Sequence, residues 1–241
     1  MMDRRRPPAV LAANEIHLWL TELSLPRERL ADLAATLTAE EGERAARFRS
    51  PAQRDHFIAG RGLLRELLGA YLNQPAAALR FVYGAHGKPS LVAEEADADL
   101  YFNLAHSAGR ILYAVARREV GVDLERLDRV ANNAAVAERI CTPREWLAFQ
   151  ALATETLRQH FFMHCWTRKE AIAKALGGGL ACGLHNFEIG CPEDEATDGR
   201  VSLCDAAGQQ WSVLSLPLEV GWGGAVAAEG TDWRWQVWHW S

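Results

Sequence analysis

The sequence predicts an α+β protein made of two similar α/β halves, residues 1–119 and 120–241, on three observations. First, each half runs from a strand through helices and back to strands. Second, "GRILYAVA" and "GWGGAVAAE" occupy equivalent places in the two halves, as do "RGLLRELL" and "RKEAIAKAL". Third, 241 residues with 49% hydrophobic composition can enclose a full core, as one domain or as two small ones. The sequence echo between the halves is weak, so the repeat is one of elements, with a seam near Arg118 to Val120. A cleft between two such halves is a natural ligand site.

"IHLWLTEL" reads as a strand, and "ERLADLAATLTAEEGERAARF" carries helical spacing with charge pairing. In "RDHFIAGRGLLRELLGAYL", Phe57, Leu64, Leu67, Leu68 and Tyr71 recur at helical intervals, and the helix ends before Pro75. "LRFVYGAHGKPSL" reads as strand, glycine turn and short strand, and "LYFNLAHSAGRILYAVA" as a hairpin about Ala108 and Gly109. In the second half "VGVDLE" is a strand, "VAERICTPREWLAFQAL" a helix, and "ETLRQHFFMHCWTRKEAIAKALGGG" a long helix. "FEIG", "VSLC", "WSVLSLPL" and "GWGGAVAAE" are β-like. "WRWQVWHW" is expected to pair with the last of these across Gly230, Thr231 and Asp232. The "RRRPP" start is expected to be a disordered arm.

A net charge of −5 argues against a global nucleic-acid binder, so any polyanion site must be a local cluster of basic residues. The tryptophan-rich end has few basic residues between its rings, which favours strand packing over base stacking. Five cysteines with no C-x-x-C pair fit reduced thiols, hence a cytoplasmic protein. The early apolar run stops at Asn14 and Glu15, too short for a signal-peptide core, and no later stretch is long and uncharged enough to span a membrane.

The chemistry begins at "VGVDLE". On a strand Asp123 and Glu125 project from one face and Val122 and Leu124 from the other. Two carboxylates so close resist burial together unless a divalent cation, a shared proton or basic side chains neutralise them; an edge strand with solvated acids is the alternative. Oxygen ligands of this kind suit magnesium. Glu170 and Lys174, four apart on the long helix, share a face, with Trp166, Ala171 and Leu176 as apolar surroundings and Arg168 and Lys169 as added positive charge. A glutamate there joins Asp123 and Glu125 around one metal and leaves Lys174 to face an anionic ligand. His160 and His164 have the spacing of a zinc helix, but Phe161 stands where a metalloprotease carries its glutamate, so they read as packing. Gly177, Gly178 and Gly179 follow a helix, where a stop is expected and an anion is disfavoured. Arg44, Arg61, Lys88 and His106 are each ordinary alone; together they offer a cationic wall opposite a carboxylate cluster, as a metal-bound polyphosphate demands.

"AGRGLLRELL", "GKPSL", "FNLAHS", "GVDLE" and "WTRKEAIAKALGGGL", in that order, resemble the 4′-phosphopantetheinyl transferases of the surfactin-synthetase type. The resemblance runs from about Leu37 to Leu180, continues weakly through "HNFEIG", and fades in the tryptophan-rich end. It implies a monomer built as a pseudo-dimer, with the coenzyme A grip in residues 1–119 and the magnesium acids in 120–241. It implies transfer of the phosphopantetheine arm of coenzyme A to a serine of an acyl, peptidyl or polyketide carrier protein, releasing adenosine 3′,5′-bisphosphate, with neither nucleic acid nor membrane as partner. By the same resemblance Asp123, Glu125 and Glu170 hold Mg2+, and Glu170, Lys174 and His106 are catalytic. Arg44, Arg61, Lys88, His106, Ser107 and Lys174 hold coenzyme A. Two departures stand out: Ala105 replaces a usual serine, an expected loss of one ligand hydrogen bond, and Glu41 occupies a position that is basic in some relatives. A carrier-binding protein without catalysis and a metal-dependent hydrolase of nucleotide or coenzyme A diphosphates are the rival classes.

Overall fold

The computed structural model describes residues 10–92, 99–129, 134–178, 183–189 and 199–239. The "RRRPP" arm, Gly179, Cys182 and Cys191 lie outside them. The chain opens with strand β1 (Glu15–Glu22), followed by helices α1 (Arg27–Ala34), α2 (Ala39–Ala46) and α3 (Pro51–Leu72). Strands β2 (Phe81–Tyr83), β3 (Pro89–Leu91), β4 (Tyr101–Ser107), β5 (Arg110–Ala116) and β6 (Val120–Arg126) come next. Helices α4 (Ala134–Ile140), α5 (Pro143–Ala151) and α6 (Glu155–Ala175) lead to β7 (Arg200–Cys204), β8 (Gln210–Ser215), β9 (Trp222–Glu229) and β10 (Arg234–His239).

Two four-stranded sheets form, ordered β10-β1-β5-β4 and β6-β9-β8-β7, with β2 and β3 as a separate ribbon. Period-two alternation makes each sheet two-faced. From β1 and β5, Ile16, Leu18, Leu20, Leu112, Ala114 and Ala116 enter a core shared with Val120, Val122 and Leu124 of β6 and Val226 and Ala228 of β9, so the sheets pack face to face. The opposite faces carry helices. Trp19, Ile111, Tyr113 and Val115 meet Leu63, Leu64, Leu67 and Leu68 of α3. Val213, Ala225 and Ala227 meet Ala171, Ile172 and Ala175 of α6. The hairpin at Ala108 and Gly109 forms as expected, both residues at positive φ.

Three expectations change. The "AATLTAEEGE" and "ERICTPREW" segments break into two helices each, because Thr38 with Glu41 and Thr142 with Glu145 form capping boxes that start a new helix. Residues Phe187–Ile189 of "FEIG" are not strand. Most consequentially, "WRWQVWHW" does not pair with β9. β9 lies between β6 and β8 and has no free edge, so β10 crosses to β1 and pairs with it in parallel. There Trp238 stacks on Trp19 with ring centroids 5.1 Å apart.

One contact sets the placement of α6. A Cβ built on Gly121 of β6 would lie 2.1 Å from the Ala171 carbonyl oxygen and 2.4 Å from the Ala175 nitrogen. Helix backbone therefore rests on strand backbone, an approach only glycine permits. Gly121→Ala is expected to lower the unfolding free energy by about 1–3 kcal/mol through overpacking, read as a lower urea midpoint; an unchanged midpoint contradicts this contact.

Candidate active site

With Gly121 against α6, alternation turns Asp123 and Glu125 to the same helix-facing side, while Val122 and Leu124 enter the inter-sheet core. α6 answers with Glu170 and Lys174, one turn apart. Lys174 Nζ donates to Asp123 Oδ1 at 2.7 Å, and Asp123 is only 4% exposed. Ser107 Oγ donates to Glu125 Oε2 at 2.8 Å. Two oxygens, Asp123 Oδ2 and Glu170 Oε1, are buried without a hydrogen-bond partner among the described residues.

The electrostatics follow from this packing. Burial raises the pKa of Asp123 even against the opposing Lys174 ammonium. Burial likewise raises Glu125 and Glu170, and in both the neighbouring carboxylates push further upward. Three acids facing one lysine remain two negative charges in excess when all are ionised. A buried acceptor without a donor costs about 1–3 kcal/mol, and two are present. Oxygen-only donors, excess negative charge and unpartnered oxygens fit a hard divalent cation such as magnesium. Arg168 and Lys169 do not help to neutralise the acids. Both are at most 1% exposed and turn elsewhere: Arg168 to Ser215 Oγ and the carbonyls of Ile189 and Gly199, Lys169 to Glu145.

A second cluster, Cys141, Glu145 and Cys165, has ligand atoms all within 4.8 Å of one another. Its glutamate is already saturated by Lys169 Nζ, Thr142 N and Ile189 N, each at 2.8 Å. It is a closed buried ion pair beside two thiols. His160 is exposed and His164 contacts Ser215 Oγ at 3.2 Å on β8, so the two histidines do not form a zinc pair.

Next to the acids opens a cavity of about 580 Å³ lined by Arg44, Arg61, Lys88, His106 and Lys174, five of the residues singled out in the sequence. Their commitments differ. Arg44 is exposed, with its guanidinium over the Phe57 ring. Arg61 lies over Phe81 and Tyr83, donates to the Tyr83 hydroxyl, and stands 3.4 Å from Glu41. Glu41, the departure noted above, is buried as the acceptor of Arg65 at 2.8 Å, so it anchors two arginines from beneath the cavity floor. Lys88 Nζ bonds Glu119 at 2.7 Å and the Ala175 carbonyl at 3.1 Å, where the C-terminal end of α6 favours a cation. The His106 pKa is lowered, by desolvation first and then by Lys174.

Ser107 does not line this cavity; its hydroxyl is spent on Glu125 and on the Arg126 amide. Ala105 is 4% exposed in the inter-sheet core, on the face of β4 opposite His106, so the expected loss of a ligand hydrogen bond does not follow. Sequence reasoning missed Gln53, His56, Tyr83 and His86 in the lining. Gln53, His56, Phe57, Gly60 and Arg61 recur at helical spacing on α3, a stripe that marked this face.

Comparisons with known proteins agree in direction. The family model described as the 4′-phosphopantetheinyl transferase superfamily matches residues 119–235, and that of a 4′-phosphopantetheinyl transferase N-terminal region matches 25–118. The chain is similar to the 4′-phosphopantetheinyl transferase HetI of Nostoc, with 38% identity over 97% of this chain and 95% of that one. A 4′-phosphopantetheinyl transferase of Bacillus subtilis is 28% identical over 71% and 72% of the two chains. Another, Sfp of Bacillus subtilis strain 168, is 26% identical over 69% and 75%.

Because the Glu170 pKa is raised on folding, its ionised form opposes folding. That penalty is absent below the unfolded-state value and complete once pH has risen through the folded-state value. Glu170→Gln in chelator is therefore expected to melt about 2–4 °C higher than wild type at neutral pH, with the gain gone near pH 4. Equal melting curves at neutral pH would contradict the buried-charge description.

Proposed function

The chain belongs to the 4′-phosphopantetheinyl transferase superfamily, and on that premise we propose how it works. It transfers the phosphopantetheine arm of coenzyme A to a serine hydroxyl on an acyl, peptidyl or polyketide carrier protein, converting apo carrier to holo carrier and releasing adenosine 3′,5′-bisphosphate. The reading rests on one observation, the Asp123, Glu125 and Glu170 acids joined by Lys174 to a basic cavity that Lys174 itself lines.

Asp123, Glu125 and Glu170 would hold magnesium. When bound, it polarises the phosphoryl oxygens and offsets the charge of the coenzyme A diphosphate. The rest is the work of side chains. Lys174, held at Asp123, presents its ammonium to the diphosphate and stabilises negative charge on the bridging oxygen as the bond to the adenosine bisphosphate breaks. His106, in the cavity lining, contacts the phosphates. Glu170 takes the serine proton, directly or through a water, and works by its position beside the hydroxyl. Arg44 and Arg61 grip the 3′-phosphate and the adenosine end. Lys88, already bonded to Glu119 and Ala175, contributes its charge from a fixed position.

Within the superfamily we assign the chain to the surfactin-synthetase type, acting as a monomer in the cytoplasm. The matching strand orders β1-β5-β4 and β6-β9-β8 support a pseudo-dimer divided at 119/120, with β10 returning to the first sheet. No described helix is long and apolar enough to cross a membrane.

The test is intact-mass spectrometry of apo carrier proteins incubated with the chain, coenzyme A and magnesium. A carrier gain of about 340 Da that chelator abolishes is expected, because the phosphoryl oxygens need a polarising cation. Asp123→Asn is expected to cut the rate at least about 100-fold while leaving the fold intact. No gain on any carrier type would refute transfer, and a gain indifferent to chelator would refute the metal.

A further inference from the structure

β4 is the edge of the first sheet and β6 the edge of the second, and no backbone ladder joins them. Side chains make the join instead. Asn103 Oδ1 accepts from the Val122 amide at 3.0 Å, and four residues along both strands Ser107 Oγ accepts from the Arg126 amide at 3.2 Å. The equal offset means the two bonds fix one register between the sheets. Between them stands Ala105, which has no acceptor to offer.

The second rung does more than hold register. A serine hydroxyl has one proton, and once its oxygen is fixed by an incoming amide the proton has a defined target. Here that target is Glu125 Oε2 at 2.8 Å. Ser107 is only 7% exposed, so this bond is shielded from solvent. An acid of the second sheet is thus aimed by a hydroxyl of the first.

We infer that Ser107 is a positioning residue. It orients the Glu125 carboxylate for a divalent cation, whereas Asn103 pins the same register without touching an acid. The inference rests on the reading of Glu125 as a cation ligand. Partners that orient ligating carboxylates are worth about 10–100-fold in metal affinity. The coenzyme A contact expected of Ser107 is replaced by this role.

The experiment titrates the full chain with Mn2+ in the presence of coenzyme A and without carrier, following free Mn2+ by electron paramagnetic resonance. Ser107→Ala is expected to weaken binding about tenfold, while Ser107→Thr, which keeps the hydroxyl, stays within about twofold of wild type. Asn103→Ala removes the rung that touches no acid; it is expected to lower stability yet leave Mn2+ affinity within about twofold. Should Ser107→Ala fail to fold, Ser107→Cys, with its weaker donor, is expected to show the same loss. Wild-type affinity in Ser107→Ala, with Glu125→Gln impaired, overturns the inference and leaves the metal site standing. Equal losses in Ser107→Ala and Asn103→Ala also overturn it, since the ladder then serves the fold alone. Wild-type affinity in Glu125→Gln removes the metal reading and the inference with it.

Discussion

The site depends on the backbone-to-backbone contact of α6 with β6 at Gly121. No side chain fits between them, so the helix sits close enough for Glu170 and Lys174 to reach the strand's acids. Once that contact fixes the face, the pleat does the rest: positions 123 and 125 must point at the helix, and 122 and 124 into the inter-sheet core. A larger residue at 121 would lift the helix and leave Asp123 without its lysine. Packing and chemistry share one constraint here, so the site is as rigid as the core beneath it.

That rigidity has an energetic cost. The acids are held where desolvation raises all three pKa values and two oxygens lack donors, a locally unfavourable arrangement that the surrounding core over-determines. The basic residues are divided between ligand and fold. Arg65, Arg168 and Lys169 are buried in saturated networks, whereas Lys174 and Arg44 keep one side toward the cavity. The negative total charge therefore coexists with a basic cavity.

Much of this was legible in the sequence because it rests on short periods. D-x-E on a strand and E-x-x-x-K on a helix each declare a face, and the five ordered motifs pointed to the partners of those faces. What was missed depends on topology or on caps. β10 was paired with its sequence neighbour, although β9 turned out to be an interior strand with both edges filled. The T-x-x-E boxes at Thr38 and Thr142 were visible but were read through as continuous helix. Sequence order cannot show that β4 lies edge-on to β6, the arrangement by which the Ser107 hydroxyl meets Glu125 and Ala105 faces the inter-sheet core. The same blindness put Arg168 and Lys169 beside the acids, when the helix turns them away.

Anomalous diffraction from crystals grown with Mn2+ and coenzyme A most directly tests whether the acids of β6 and α6 form one cation site. The account predicts a single strong peak within bonding distance of Asp123, Glu125 and Glu170, next to the coenzyme A diphosphate. A peak at Cys141, Glu145 and Cys165 with none at the acids, or a cation that touches none of the three carboxylates, would contradict it.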